Sequence, residues 1–128
     1  MALTHPLTVG ALALVAAGYL SAVDPHEGGH YPSCPLLWLT GLYCPGCGGL
    51  RALHDVFHGE FGTALSSNLL VVLGLPLVIT LWIGWTRNRM SGRGGRPRFP
   101  AWSGWLVLTV VLLFWVLRNV TATAWLAP

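Results

Sequence analysis

Three long and almost charge-free stretches constrain what this chain can fold into. They cover about 7–23, 64–85 and 101–120 and are rich in Leu, Val, Ala and Trp. Because an α-helix rises about 1.5 Å per residue, each stretch has roughly the length that crosses the hydrocarbon core of a bilayer. With 54% hydrophobic and only 9% charged residues, the chain is also too apolar for an ordinary soluble domain. The sequence predicts a single all-α membrane domain with three transmembrane helices.

Most of the positive charge lies in the loop between the second and third predicted spans. Residues 86–99 hold five of the seven arginines, and the chain has no lysine. Arginine-rich loops stay in the cytoplasm, which predicts a cytoplasmic amino terminus and an extracytoplasmic segment 24–62 at the cell membrane. Anionic lipid headgroups are the expected partner of this loop. Nucleic acid is not an expected partner, because the loop joins two spans and has no aromatic residue among its arginines. These arginines are Arg87, Arg89, Arg93, Arg96 and Arg98.

The segment 24–62, called the outer cap below, holds most of the side chains capable of chemistry. All four acidic residues, all three cysteines and four of the five histidines fall within it. At its centre is the sequence Cys-Pro-Gly-Cys-Gly at 44–48, called the cysteine turn, where Pro and Gly favour a tight turn. Apolar and polar residues then alternate with helical spacing as far as Phe57. This pattern predicts a short amphipathic helix at the membrane interface after the cysteine turn.

The cysteine turn is typical of a zinc knuckle, which presents two thiolates to one ion. Cys34 is a candidate third ligand, and His54 or His58 is a candidate fourth. Zinc is the expected ion, because thiolate and imidazole ligands in this combination favour it. The predicted metal ligands are Cys34, Cys44, Cys47, His54 and His58.

Two other roles for the same cysteines stay open. A Cys-x-x-Cys pair at the start of a helix has one thiol pKa lowered by the helix N-terminus. Cys44 and Cys47 are therefore a candidate pair for thiol–disulfide exchange, with Cys34 as a resolving thiol. No thioredoxin-like β-α-β pattern surrounds the pair. The second alternative is a structural disulfide that only fixes the outer cap and leaves one cysteine over.

Further polar residues are predicted to lie in the same layer as the cysteine turn. Arg118 and Asn119 end the third predicted span, and Arg118 lies about 26 Å along that helix from Ala101. A charged residue at this depth needs a partner, which predicts an ion pair between Arg118 and a carboxylate. The candidate carboxylates are Asp24, Asp55 and Glu60. The whole predicted polar cluster is Arg51, Asp55, Glu60, Asn68, Arg118 and Asn119.

Short motifs follow one another in a recognisable order from about residue 32 to residue 119. They are Cys34-Pro35, Thr40 to Gly48, Arg51-Ala52, His58 to Phe61, Ala64, Asn68 and Arg118-Asn119. Together they resemble a bacterial membrane family catalogued as domain of unknown function 2752. Members commonly have Thr at the position of Gly49 and Pro at the position of Leu69. The resemblance implies a small polytopic membrane protein and supplies no activity, substrate or cofactor.

The sequence as a whole favours a metal-binding or assembly module over an enzyme. None of the serines in the outer cap or the second span lies in the context of a hydrolase nucleophile. Another membrane protein or a second copy of this chain is a candidate partner. An oligomeric pore or carrier is a further alternative, although three mostly apolar spans offer few polar residues to line a path.

Overall fold

The protein is seen in a computed structural model that describes residues 5–27, 29, 31, 34–92 and 99–120. Regular structure in these ranges is helical, without a strand, as the sequence predicts. The short helix predicted after the cysteine turn is present as the third element. In chain order the helices are α1 (Pro6–Ala22), α2 (Pro35–Thr40), α3 (Gly49–Phe57), α4 (Phe61–Met90) and α5 (Ala101–Arg118).

Two of these helices are candidate membrane spans. α4, with 30 residues, and α5, with 18, are long and apolar enough to cross a bilayer by length and composition. α1 is also apolar but has only 17 residues. The structure therefore supports two of the three predicted spans, and the span over α1 stays a prediction.

Burial in this fold is the reverse of that in a soluble protein. The largest fully buried side chains include Arg118 and Asn68, which are polar. Large apolar side chains lie outside, such as Leu14 at 76% exposure in α1 and Trp105 at 72% in α5. Apolar surface on this scale is unfavourable in water, whereas hydrocarbon solvates it without cost. The distribution of polar and apolar residues agrees with association with a membrane.

α1 and α4 pack side by side in opposite directions. Near the start of α1, the indole Nε1 of Trp82 donates to the carbonyl oxygen of Pro6 at 3.3 Å. Gly10 permits this approach, because a Cβ there would lie 2.6 Å from Cζ2 of Trp82. At the other end of α1, the ring Nδ1 of His54 on α3 lies 2.8 Å from the carbonyl oxygen of Leu20. The outer cap therefore covers the ends of α1 and α4 that lie away from Trp82.

The backbone of α4 leaves helical geometry at Asn68. This residue has φ −161° and ψ 96°, an extended conformation, whereas a proline inside a helix, here Pro76, ordinarily causes a kink about one turn earlier. The interruption thus lies two turns before the proline instead of one. Its cause is the Asn68 side chain, which is fully buried and donates to two carbonyl oxygens of the cysteine turn. Those contacts, rather than the proline ring, decide where the helix is interrupted.

α4 also continues past the predicted end of the second span at residue 85. Arg87 and Arg89 lie in its last turn, where a positive charge interacts favourably with the helix dipole. The helix ends at Met90, so the connection to α5 is shorter than the predicted loop 86–99. The other three arginines of the cluster, at 93, 96 and 98, lie outside the described residues.

Candidate metal centre

The three cysteines of the chain come together at one end of the fold. Their Sγ atoms all lie within 4.8 Å of one another, and none of the three is in a disulfide. Cys34 is the residue before α2, while Cys44 and Cys47 belong to the cysteine turn that leads into α3. The Sγ atoms of Cys44 and Cys47 are 3.0 Å apart. Residues from two separate segments thus place three sulfur atoms around one point.

The cysteine turn has the local geometry that places sulfur next to backbone donors. Its chain reversal is closed by a hydrogen bond from Cys47 N to Cys44 O at 3.1 Å. The backbone N–H of Cys44 in turn points at Cys47 Sγ, at 3.2 Å. Gly48 follows with φ +74°, a left-handed conformation that other residues adopt at a cost, and α3 begins at the next residue. Proline and glycine at their positions therefore fix the direction of both thiols.

Two side chains from the long helices hold the carbonyl groups of the turn. Nη1 of Arg118 donates to the carbonyl oxygens of Cys44 at 3.2 Å and Cys47 at 3.1 Å. Nδ2 of Asn68 donates to those of Pro45 at 2.9 Å and Cys47 at 3.0 Å. The turn is therefore attached to α4 and α5 at once, and its shape depends on both helices.

Arg118 pairs with carbonyl groups and not with a carboxylate. The predicted ion pair to an acidic residue is wrong: no carboxylate among the described residues lies within ion-pair distance of its guanidinium. The side chain is only 1% exposed, and its Nε and Nη2 atoms have no hydrogen-bond partner. The rings of Phe114 and Tyr43 lie 5.2 Å and 5.8 Å from its central carbon. A buried cation thus lies directly beside the cysteine turn without a carboxylate to balance it.

The surroundings of Cys34 and Cys47 change their acidity in opposite directions. The backbone N–H of Leu37 lies close to the Cys34 sulfur and, helped by the Cys47 thiol, lowers the pKa of Cys34 to about 7. Burial raises the pKa of Cys47 to about 12, with the neighbouring Cys44 thiol adding to the effect. In the metal-free state, Cys34 is therefore the first of these two thiols to ionise.

The two histidines predicted as metal ligands lie away from the cysteines. Among the described residues, no histidine nitrogen joins the three Sγ atoms within 4.8 Å. His54 and His58 stack at 4.2 Å between ring centroids and face a pocket of about 290 Å³. This pocket, called the histidine pocket below, is lined by Asp24, His26, His54, Asp55, His58, Glu60 and Thr63. The structure thus divides the predicted Cys3His set between two places.

The predicted polar cluster is divided in the same way. Asn68, Arg118 and Asn119 gather at the cysteine turn. Asp55 and Glu60 line the histidine pocket. Arg51, the sixth member of the cluster, makes a different contact: its Nε donates to the carbonyl oxygen of Pro25 at 3.4 Å.

The comparison with known families confirms part of the resemblance. Residues 34–82 match the family described as Protein of unknown function (DUF2752). The matched segment includes all three cysteines, α3 and the interruption of α4 at Asn68. It ends before Arg118 and Asn119, so their part in the family pattern stays a prediction. No curated protein and no solved structure matches the chain.

Sequence reasoning missed two contributors to these sites. His26 is not among the predicted site residues, yet it lines the histidine pocket. Tyr43, the residue before the cysteine turn, exchanges hydrogen bonds with Asn119. The signal for His26 is its position, because it follows the end of the first apolar stretch by three residues and therefore lies at the level of the outer cap.

Proposed function

We propose that this protein is a membrane-bound metal-binding module that holds one zinc ion on Cys34, Cys44 and Cys47. The carrying observation is the separation of the three Sγ atoms, all within 4.8 Å. Zinc binds thiolate sulfur at about 2.3 Å, so two sulfurs on a tetrahedral ion are roughly 3.8 Å apart. A small adjustment of side-chain torsions brings three sulfurs at these distances onto one ion.

The buried guanidinium of Arg118 supports an ionised form of the cysteine site. An isolated charge without a counter-charge is costly in a low-dielectric environment. Apart from Tyr43, the ionisable groups that interact electrostatically with this cation are Cys47 and Cys44. Three thiolates and a divalent ion carry a net charge of about −1, which Arg118 balances. Metal binding therefore turns an unbalanced buried cation into a neutral group.

Three cysteine ligands leave the fourth position of a tetrahedral ion for another group. Structural zinc sites are normally closed by four protein ligands, whereas sites with three keep an open position. Since His54 and His58 face the histidine pocket, the fourth ligand in this proposal comes from water, from a partner membrane protein or from a second copy of the chain. The site then acts either as a closed assembly contact or as an open metal centre.

We further infer that α1 is a third span and that the cysteine site faces the extracytoplasmic side. Its support is the alternation of direction along the chain, since the ends of α1 and α5 and the start of α4 all meet the outer cap. In this orientation Arg87 and Arg89, at the opposite end of α4, would bind anionic headgroups of the cytoplasmic leaflet. A bound metal keeps thiols reduced in an oxidising compartment.

The test measures metal content and free thiols on the same detergent-purified sample. We expect zinc to co-purify with the wild-type protein, whose thiols should become reactive only after a chelator is added. The variants Cys44→Ser and Cys47→Ser should each lose the zinc. Cys34→Ser should weaken retention. A metal-free protein whose thiols appear only after reduction contradicts the proposal and indicates a disulfide.

A second test asks whether Arg118 balances the charge of the site. Because it holds two carbonyl groups of the turn and supplies the counter-charge, Arg118→Leu should weaken zinc binding by roughly 10- to 100-fold, as loss of outer partners does at other zinc sites. Arg118→Lys keeps the charge and should lose less. Arg89→Leu is the matched control, since Arg89 is exposed at the far end of α4. Equal affinity in all three variants would remove this support.

Thiol–disulfide exchange is the second candidate, favoured by the 3.0 Å separation of the Cys44 and Cys47 sulfurs and by the lowered pKa of Cys34. In this reaction a thiolate attacks a disulfide of a partner protein, forms a mixed disulfide and releases one partner thiolate. A second cysteine then attacks the mixed disulfide, which releases the other partner thiolate and leaves a disulfide within this chain. Replacing that second cysteine by serine should trap the mixed disulfide on a non-reducing gel. If no variant with one cysteine replaced by serine traps a mixed disulfide, this role is contradicted.

A further inference from the structure

The histidine pocket is separate from the cysteine site and is built at the junction of three segments. Asp24 and His26 come from the chain after α1, His54 and Asp55 from α3, and Glu60 from the connection to α4. His58, just after α3, and Thr63, in the first turn of α4, complete the lining. Three imidazoles and three carboxylates therefore share one open pocket of about 290 Å³ in the outer cap.

All three histidines use Nδ1 in the same way. Nδ1 of His54 lies 2.8 Å from the carbonyl oxygen of Leu20, and Nδ1 of His58 lies 2.8 Å from that of His54. Nδ1 of His26 lies 2.8 Å from a carboxylate oxygen of Asp24. These oxygens only accept, so each Nδ1 carries the proton and donates. In the neutral ring, Nε2 is then left with a free lone pair, which is the form that binds metal ions.

Asp55 supplies a buried carboxylate to the same pocket. Its side chain is only 3% exposed, and Oδ2 accepts a hydrogen bond from the hydroxyl of Ser67 at 3.2 Å. Oδ1 receives no hydrogen bond among the described residues, and its near neighbour in the pocket is Nε2 of His26 at 3.6 Å. Oδ1 therefore faces the open pocket and is available to a cation there.

We propose that the histidine pocket is a second metal site, specific for a divalent transition-metal ion bound by imidazole nitrogen and carboxylate oxygen. Nε2 of His26 is 3.6 Å from Oδ1 of Asp55, and Nε2 of His54 is 3.9 Å from Oδ1 of Asp24. These separations are too long for hydrogen bonds but suit two ligands on one ion at about 2.0–2.2 Å from each. The mixed nitrogen and oxygen donors distinguish this site from the three-sulfur site.

No three residues of the histidine pocket have their ligand atoms within 4.8 Å of one another, so binding one ion requires side chains at the rim to move. The side chains of His26 and Asp24 are 42% and 44% exposed and have room to move as a hydrogen-bonded pair, whereas His54 at 13% and Asp55 at 3% are more enclosed. The enclosed pair therefore forms the base of the site and the exposed pair closes it. His58 and Glu60 lie at the same rim and supply alternative ligands.

The experiment counts ions on the full chain in detergent after equilibration with Zn²⁺ and removal of unbound ions. The wild-type protein should hold about two ions per chain, and His54→Gln and His26→Gln should each reduce this to about one while leaving the thiols protected. The variant with Cys34, Cys44 and Cys47 all changed to serine should also keep about one. With Cu²⁺ as a probe, that variant should give an electron paramagnetic resonance spectrum with nitrogen couplings.

His5→Gln is the matched control, because His5 lies outside the pocket at the start of α1. It should leave the ion count unchanged. Asp55→Asn should weaken binding by roughly tenfold or more, and the exposed His58→Gln, which does not disturb a buried group, serves if Asp55→Asn fails to fold. A count of about one ion that is unaffected by His54→Gln and His26→Gln overturns the second site without touching the first. Loss of ions only in the cysteine variants has the same meaning.

Discussion

Asn119 pairs with both backbone groups of Tyr43 across 76 residues of sequence. Its Oδ1 accepts from Tyr43 N at 2.9 Å, and its Nδ2 donates to Tyr43 O, also at 2.9 Å. The same Nδ2 donates to the carbonyl oxygen of Trp115 in the last turn of α5. One amide side chain thus fixes the end of α5 against the residue that precedes the cysteine turn.

Asn119→Ala should therefore destabilise the protein and loosen the metal site together. The substitution leaves the N–H and carbonyl of Tyr43 without partners, at a cost of about 1–3 kcal/mol each where water is excluded. We expect a lower melting temperature in detergent and faster release of zinc to a chelator. Asn88→Ala, at an exposed position in the last turns of α4, is the control and should change neither. An unchanged release rate would show that Tyr43 does not influence the cysteines.

Gly48→Ala tests the geometry of the cysteine turn. Gly48 has φ +74°, and a residue with a Cβ adopts this conformation at a cost of about 1–2 kcal/mol. The variant should unfold at lower temperature and retain less zinc. Gly46→Ala is the comparison within the same turn, because Gly46 does not have a positive φ and a Cβ there would lie 3.8 Å from the Cys44 sulfur, an ordinary contact. If both variants lose zinc equally, the left-handed conformation is not what matters.

The pKa values of the thiols predict which cysteine reacts first once metal has been removed. With a pKa of about 7, below the ordinary 9.0, Cys34 should be alkylated half-maximally near pH 7. Cys47, at about 12, should stay unmodified there. Site-resolved mass spectrometry after a pH series of alkylation provides the measurement. Because the Cys34 pKa is lowered on folding, its contribution to stability is present above pH 9 and is lost as the pH falls through about 7. Faster labelling of Cys47 would contradict the assignment.

A cysteine placed at Ser91 tests the orientation of the chain. Ser91 directly follows α4 at the end that carries Arg87 and Arg89. In a chain whose own cysteines are replaced by serine, an impermeant thiol reagent should label Ser91→Cys only after the cells are lysed. A cysteine at Glu27, exposed in the outer cap, should be labelled in intact cells. The reverse pattern would place the cysteine site in the cytoplasm.

The helices and the cysteine turn were predictable because their signals are local. Apolar stretches set α4 and α5, and Pro and Gly between Cys44 and Cys47 set the turn. The arrival of Arg118 in the layer of the turn also followed from helix length alone. The partners of the Arg118 guanidinium were not predictable, because sequence spacing cannot distinguish a carboxylate from the carbonyl oxygens of Cys44 and Cys47.

The place of the histidines was equally beyond the sequence. His54 lies two turns after Cys47 in the chain, which made it a reasonable ligand for the same ion. Its direction is set by Leu20 at the end of α1, a contact over 34 residues that no local pattern reveals. The position of the interruption in α4 shows the same limit: Pro76 is a local signal, whereas the contacts of Asn68 with the turn are not.

Asn68 joins the cysteine turn to the beginning of the longest apolar helix. Its Nδ2 holds the carbonyls of Pro45 and Cys47, while its Oδ1 accepts from Val71 N at 3.1 Å, the bond of a helix N-cap residue. The uninterrupted part of α4 thus starts here and reaches Met90, a length of about 33 Å, close to the hydrocarbon thickness of a bilayer. Because one amide serves both contacts, we expect any shift of the turn, such as the proposed metal binding would cause, to be passed to the first turn of that helix. The cysteine turn and the longest apolar helix thus share one side chain as their connection.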